Sequence, residues 1–305
     1  MPIKDDDMSG FFIDPKVVND FLDKPYNLKE VWNRVSGSNP DSTASYHGDT
    51  YYNEAERRLI ESELERLYAQ LSQNCTVSGV RKNFTLSAGA PGAGKSTLLE
   101  ALLLRDRTLQ NAVFSDPDEC ALKLMHVYQE DIHKFGGGPQ GLALSYTKWR
   151  WASNYISNSI MNKAGADQFD VLLGTTATGA AVRFLYDNAH REGYEVTTLI
   201  VAAPENVRVE SARRRFEEEQ TRFTNDTAEK GKLFYERAPL YFERSDHFSL
   251  YWRDAVQGEP VLAAMGQNGA ITIEDREAVK SIERDLQSVR PELSWDGLAK
   301  AYTGP

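Results

Sequence analysis

Gly89-Ala90-Pro91-Gly92-Ala93-Gly94-Lys95-Ser96 satisfies the pattern G-x-x-x-x-G-K-[ST], and its flanks restrict what the chain can fold into more than any other feature. Before it, Phe84 to Ala88 reads as an apolar strand; after it, Lys95 to Leu104 reads as a helix. A strand that turns through glycines into a helix gathers backbone N–H groups and the positive helix end around one point. That arrangement holds phosphate. Lys95 supplies a mobile charge for the outer phosphates of a nucleoside triphosphate, ATP or GTP, and the Ser96 hydroxyl is the expected Mg2+ ligand. Gly89, Ala90, Pro91, Gly92, Ala93, Gly94, Lys95, Ser96 and Thr97 are the expected nucleotide-binding residues.

Further strand and helix pairs follow. Ala112 to Ser115, Val171 to Leu173 and Glu195 to Ala203 read as strands, and Ala180 to Arg191 and Val207 to Glu219 as helices. Repeated strand-then-helix order predicts an α/β fold of the P-loop type, a parallel sheet with helices on both faces. Later come expected strands at Phe248 to Trp252 and Ala270 to Ile273, and a helix from Glu274 to Val289. Residues 1 to 52 read as two short helices and a loop that includes the turn formers Ser36 to Ser42. From there Ala55, Leu59, Ile60, Leu64, Leu67 and Leu71 recur at helical spacing, with Asn53 as the N-cap. The expected division is an N-terminal helical segment, 1–78, and a P-loop domain, 79–305.

With 305 residues, 41% of them apolar and 26% charged, the chain has the composition of a globular enzyme with a sizeable core. Its formal net charge of -10 repels phosphodiester backbones, so no nucleic-acid partner is expected. Cys75 and Cys120 are too few for a disulfide framework and fit a reducing compartment. The aspartates of the first seven residues oppose an export signal, and apolar runs such as Ala101 to Leu104 and Leu199 to Ala203 are too short to span a bilayer. A cytoplasmic protein without a membrane partner is expected, with delivery into a host or target cell left open. His126 and His133 have no third ligand nearby, so zinc chemistry has no support.

Ser115-Asp116-Pro117-Asp118-Glu119 follows the second expected strand, about 20 residues beyond the phosphate loop. Two readings are open and can coexist: a carboxylate that accepts the proton of an attacking hydroxyl or positions Mg2+, and a helix N-cap with proline in its first turn. Arg213, Arg214, Arg215 and Arg222 are the local supply of cations for a transferring phosphoryl group. Val209, Ala212 and Phe216 form an apolar stripe with Arg215 at its edge, so Arg215 can reach inward; a solvated basic face pairing with Glu217 to Glu219 is the other reading. Trp149, Trp151 and Tyr155 fit core packing better than stacking on a base.

Taken together, GAPGAGKST, SDPDE, the strand ending LLGTTATG with the Gly193-Tyr194 turn, and APENVRVESARRRF resemble the zeta toxin family from about Phe84 to about Trp252. The resemblance implies transfer of the ATP γ-phosphoryl group to a sugar hydroxyl of UDP-N-acetylglucosamine, or to NAD as in related plant-pathogen effectors. It would make Lys95 and Ser96 the ATP and Mg2+ residues, Asp118 the catalytic base, Thr176 a substrate-site residue, and Arg215 and Arg222 phosphate-binding arginines. Asp116, Asn158 and Thr176 are the expected substrate residues. Asn158 stands where the family has a glutamate, and Gly174 replaces the glutamate before the substrate-site threonine, which points to a changed acceptor. An antitoxin or chaperone is an implied partner, with the N-terminal helices as its docking surface. Two alternatives stay open: a nucleotide-binding interaction module without kinase activity, and a polynucleotide kinase, which would need a basic groove.

Overall fold

The computed structural model describes residues 12–35, 48–77, 81–219 and 227–303. Along the chain the helices are α1 (Pro15–Asn19), α2 (Leu28–Val35), α3 (Glu54–Ser72), α4 (Lys95–Arg105), α5 (Arg107–Gln110), α6 (His126–Lys134), α7 (Gly138–Ala166), α8 (Val182–Arg191), α9 (Glu205–Glu219), α10 (Thr227–Glu236), α11 (Ala238–Glu243), α12 (Arg276–Val289) and α13 (Trp295–Thr303). The strands are β1 (Lys82–Ala88), β2 (Val113–Ser115), β3 (Val171–Leu173), β4 (Tyr194–Ala202), β5 (His247–Trp252), β6 (Val261–Gln267) and β7 (Ala270–Ile273). A π-helical turn, Pro117–Ala121, and a 3-10 turn, Leu122–Leu124, precede α6. The turn-forming run Ser36 to Ser42 lies outside the described residues.

Contacts sort the chain into two units, one of Met1–Asn74, Val113–Ala166 and Arg215–Phe223, the other of Cys75–Ala112, Asp167–Arg214 and Thr224–Pro305. The second unit holds a sheet in the order β3-β1-β4-β5-β6-β7. β1 pairs in parallel with β3 and β4, and β4 with β5, with Phe84 opposite both Val171 and Val196. Phe84, Leu86, Val171, Val196, Val201, Phe248 and Leu250 are buried, as near-continuous apolar strands must be when helices cover a parallel sheet. The remaining two strands run antiparallel, β6 against β5 and β7 against β6. Their hairpin turns at Asn268-Gly269, both with positive φ, as a two-residue connection demands. The expected parallel α/β sheet is therefore present, with an antiparallel meander that was not expected at β6.

The first unit is organised around α7. Over 29 residues it buries Leu144, Tyr146, Trp149, Ile156, Ile160 and Met161, and it packs against α1, α2, α3 and α6. Asn162 on α7 fixes the entry of the chain: its Oδ1 accepts from the amides of Phe12 and Ile13 at 3.0 and 3.1 Å, and its Nδ2 donates to Ile13 O. α3 begins at the expected cap. The Asn53 side chain accepts from Glu56 N while the Glu56 carboxylate accepts from Asn53 N, closing a capping box. Trp149 donates its Nε1 to Asp131, Trp151 to Pro25 O, and the Tyr155 hydroxyl to Glu61, so these three aromatics serve packing within this unit.

One buried carboxylate holds two of these helices. Met125, the N-cap residue of α6, offers no side-chain acceptor, and Glu63 of α3 takes its place, accepting from His126 N at 2.8 Å and Val127 N at 3.2 Å. Arg66 neutralises it at 2.5 Å. Glu63→Ala strands both amides and the guanidinium, so urea unfolding of the variant is expected to show a loss of roughly 2–4 kcal/mol, against about 1 kcal/mol for Glu63→Gln, which keeps an acceptor.

Candidate functional site

β1 delivers the chain to the phosphate loop between buried neighbours, and α4 leaves it at Lys95. Gly92 and Gly94 have φ of 78° and 99°, the left-handed region that lets successive amides curl. Gly92 is also sterically required. A Cβ there would lie 2.1 Å from the Arg208 carbonyl oxygen, in the first turn of α9. Ala93, Leu98, Val201, Ala203 and Val207 form one apolar cluster that ties the loop and α4 to β4 and α9. Arg208 itself is buried, its Nε donating to Ala203 O and its Nη1 to Thr227 O, which fixes α9 where Gly92 needs it. Gly94 gives α4 no side-chain cap, so the first amides of that helix face the loop. Lys95 Nζ lies across the same loop, donating to Gly89 O at 2.6 Å and Ala90 O at 3.1 Å.

A second loop of the same unit meets the first. After β3, Thr175 donates its amide to Ser87 Oγ, and Thr176 O accepts from Gly89 N at 3.2 Å. Thr176 Oγ1 lies 3.0 Å from Thr178 Oγ1. Ala177 between them has φ 54°, a left-handed alanine, and its carbonyl accepts from the buried Tyr241 hydroxyl at 2.8 Å. Expected substrate residue Thr176 is thus joined to expected nucleotide residue Gly89 by one hydrogen bond.

The carboxylates stand in the other unit. Asp116 caps the π-helical turn, its Oδ1 accepting from Asp118 N at 2.8 Å and Glu119 N at 2.9 Å. Burial, reinforced by the charges of Asp118 and Glu119 and opposed by those two amides, pushes its carboxyl up to about 6. Asp118 points elsewhere. Its Oδ1 pairs with Arg150 Nη1 of α7 at 2.5 Å, its side chain is 43% exposed, and among the described residues Oδ2 has no partner. Arg150 leans on the Tyr146 ring, and although burial disfavours its charge, Asp118, Tyr146 and Asp116 outweigh that and raise it. Asn158, half-buried on the same helix, donates Nδ2 to Asn154 O.

Arg215 is exposed near the end of α9; Val209 is exposed too, and Ala212 and Phe216 are only half-buried. Arg213 pairs with Glu210. Arg222 lies outside the described residues. Sequence reasoning passed over Arg150, Arg208, Tyr241 and Arg253. Arg208 lies inside APENVRVESARRRF ahead of the arginine triplet, and Arg150, between two tryptophans, carries no motif.

A family model for zeta toxin matches residues 68–234, more than half of the chain, from the end of α3 through the phosphate loop, the carboxylates and the Thr176 loop to α10. The chain belongs to the zeta toxin family. Among curated proteins, none matches the sequence. Solved structures with a similar fold include a chain of the AvrRxo1-ORF1:-ORF2 complex, 11% identical with TM-score 0.56, covering 84% of this chain and 90% of that one. The same complex with ATP gives 13% identity and TM-score 0.50, covering 83% and 90%. A chain of the PezAT chromosomal toxin–antitoxin system of Streptococcus pneumoniae is 13% identical with TM-score 0.54, the match covering 82% of this zeta toxin and 98% of that chain. At these identities the likeness is one of fold.

Two outcomes follow from this geometry. Gly92→Ala forces α9 away from the loop and is expected to abolish ATP binding in calorimetry while costing roughly 2 kcal/mol or more of stability. For Asp116, the native carboxyl near 6 keeps its proton between pH 4 and 6 while the unfolded one, at 3.8, loses it. Stability contributed below pH 4 is therefore lost as the pH rises to 6. Asp116→Asn keeps the cap acceptor and is expected to flatten that decline in urea titrations run across the window.

Proposed function

We propose that this zeta toxin is an ATP-dependent phosphotransferase that moves the γ-phosphoryl group of ATP to a hydroxyl of a nucleotide-linked small molecule, UDP-N-acetylglucosamine or NAD. The observation that carries the reading is the formed phosphate loop: two left-handed glycines, an uncapped helix start and Lys95 on one turn. Lys95 exchanges its loop carbonyls for the β- and γ-phosphate oxygens, and the amides from Ala93 to Thr97 surround them. Among the described residues no cluster of His, Cys, Asp and Glu could hold a resident metal. A single oxygen donor, Ser96, fits a magnesium that arrives with the nucleotide and keeps several waters. Ser96 would hold that ion, which would offset phosphate charge.

Asp118 is the general base of this reading. Arg150 fixes Oδ1, leaving Oδ2 to take the proton of the acceptor hydroxyl as its oxygen attacks phosphorus. Asp116 sets the orientation of Asp118 by capping its turn, and Thr176, Asp116 and Asn158 are the proposed acceptor contacts. Arg215 and Arg222 would offset charge on the transferring group. The family membership supports toxicity, and the toxin–antitoxin system and ORF1:ORF2 complex to which fold neighbours belong support an antitoxin or chaperone that docks on residues 1–78, with 79–305 as the kinase domain. The proposed site of action is the cytoplasm of the producing or a target cell.

Mass spectrometry of purified protein with Mg2+-ATP, UDP-sugars and NAD tests this. A product heavier by one phosphoryl group is expected, and Asp118→Ala should lower its rate by roughly 10²–10⁴-fold while ATP still binds. An unchanged rate in Asp118→Ala would remove Asp118 as the base; bound ATP with no phosphorylated product from the wild type would favour the interaction module.

A further inference from the structure

Arg253 follows β5 and is only 8% exposed, yet no acid meets it. Its Nε donates to Gly258 O at 2.8 Å, its Nη1 to Gly92 O at 3.2 Å, and its Nη2 to Val256 O. Among the described residues no carboxylate lies within ion-pair distance of the guanidinium. Its neighbours Asp254 and Glu259 are exposed. Burial pushes its pKa below the usual arginine value and no nearby charge opposes the shift. A buried cation held only by carbonyl dipoles is costly unless an anion joins it.

Its position says where that anion sits. A Cβ on Gly94 would lie 2.9 Å from Arg253 Cδ and 3.3 Å from Nη1, so the guanidinium is packed on the residue that starts α4. The positive end of α4, Lys95 and Arg253 thus converge on one six-residue loop. Three positive sources at one turn repel each other until a polyanion is bound. Arg253 lies beyond the segment matched by the zeta toxin model, so the motif set does not include it.

We propose that Arg253 is a positioning residue of the nucleotide site, a fixed countercharge that grips the Gly92 carbonyl and lowers the dissociation constant for the triphosphate through its charge. The inference rests on the ATP-binding reading above. Gly92 packs against the Arg208 backbone and its carbonyl accepts from Arg253, so the loop is held at two points and the buried charge of Arg253 stands beside it.

The test compares two variants of the full chain by calorimetry with Mg2+-ATP, alongside thermal unfolding without nucleotide. Arg253→Gln keeps an N–H donor and removes the charge; Arg253→Lys keeps the charge and removes the fork. A charge role predicts that Arg253→Gln raises the ATP dissociation constant on the order of 10- to 100-fold, whereas Arg253→Lys stays within about 5-fold of wild type. In steady-state assays the Arg253→Gln effect should fall on KM for ATP rather than on kcat. Equal losses in both variants, or a Gln variant that binds as wild type does, would overturn the proposal. If Arg253→Gln fails to fold without nucleotide, Arg253→Met supplies the uncharged arm and is read against the same limits; if Arg253→Lys fails to fold, the Gln arm alone decides, wild-type affinity in it overturning the proposal. Failure of the wild type to bind ATP would instead overturn the underlying reading.

Discussion

The close approach of Gly92 to the first turn of α9 is the contact on which the nucleotide site depends. It demands a residue without a side chain, a left-handed backbone and a neighbouring helix whose own position is locked, and the buried Arg208 guanidinium provides that lock from Ala203 O to Thr227 O. Arginine suits the task because its planar fork satisfies two carbonyls that a helix start and a distant turn would leave bare. Gly231 on α10 lies directly against that fork, where a Cβ would come within 2.2 Å of both terminal nitrogens. The loop is therefore set by packing several elements away.

The first unit solves a different problem, how to present carboxylates on a short irregular stretch. A three-residue strand, a π-helical turn and a 3-10 turn follow one another with few ladder bonds, and their order comes from α7. Ser115 Oγ bonds Ser157 on that helix at 2.8 Å, and Arg150 reaches Asp118 from two turns earlier on it. Asp116 then divides the labour with Asp118: one carboxyl faces the turn's amides and is pushed toward neutrality by burial, the other faces out beside a guanidinium. Two neighbouring acids in unlike surroundings can hold and move a proton in a way that a pair in like surroundings cannot.

Much of the second unit was legible because its signals are local. The G-x-x-x-x-G-K-[ST] turn and the apolar runs of β1, β3 and β4 each depend on a few adjacent residues, as does the Asn53 cap in the first unit, and the structure reproduces them within one or two positions. β6 was missed because Val261-Leu-Ala-Ala-Met-Gly-Gln has little β-propensity; the Asn268-Gly269 pair after it was the usable signal. α7 was missed for the opposite reason. A helix buried on most of its circumference shows no polar stripe, and Gly-Pro-Gln-Gly at its start reads as a loop. Buried Arg208 and Arg253 and half-buried Arg150 were out of reach in principle, since an arginine in a sequence is a surface residue by default and only tertiary contacts reveal one turned inward. The stripe proposed to turn Arg215 inward is not buried, because Glu217 and Glu218 and the arginines themselves leave that half of α9 too polar to pack.

The hydrogen bond from Gly89 N to Thr176 O has a mechanical meaning. Ala177 is kept in an unfavourable backbone well by the Tyr241 hydroxyl on one side and the Thr176 link on the other, so this short segment behaves as a loaded latch with one end on the first peptide of the phosphate loop. A shift of the Thr176 carbonyl would reach Gly89 through that single bond. The reciprocity of any such coupling means that the order in which two ligands arrive changes the path but not the total work.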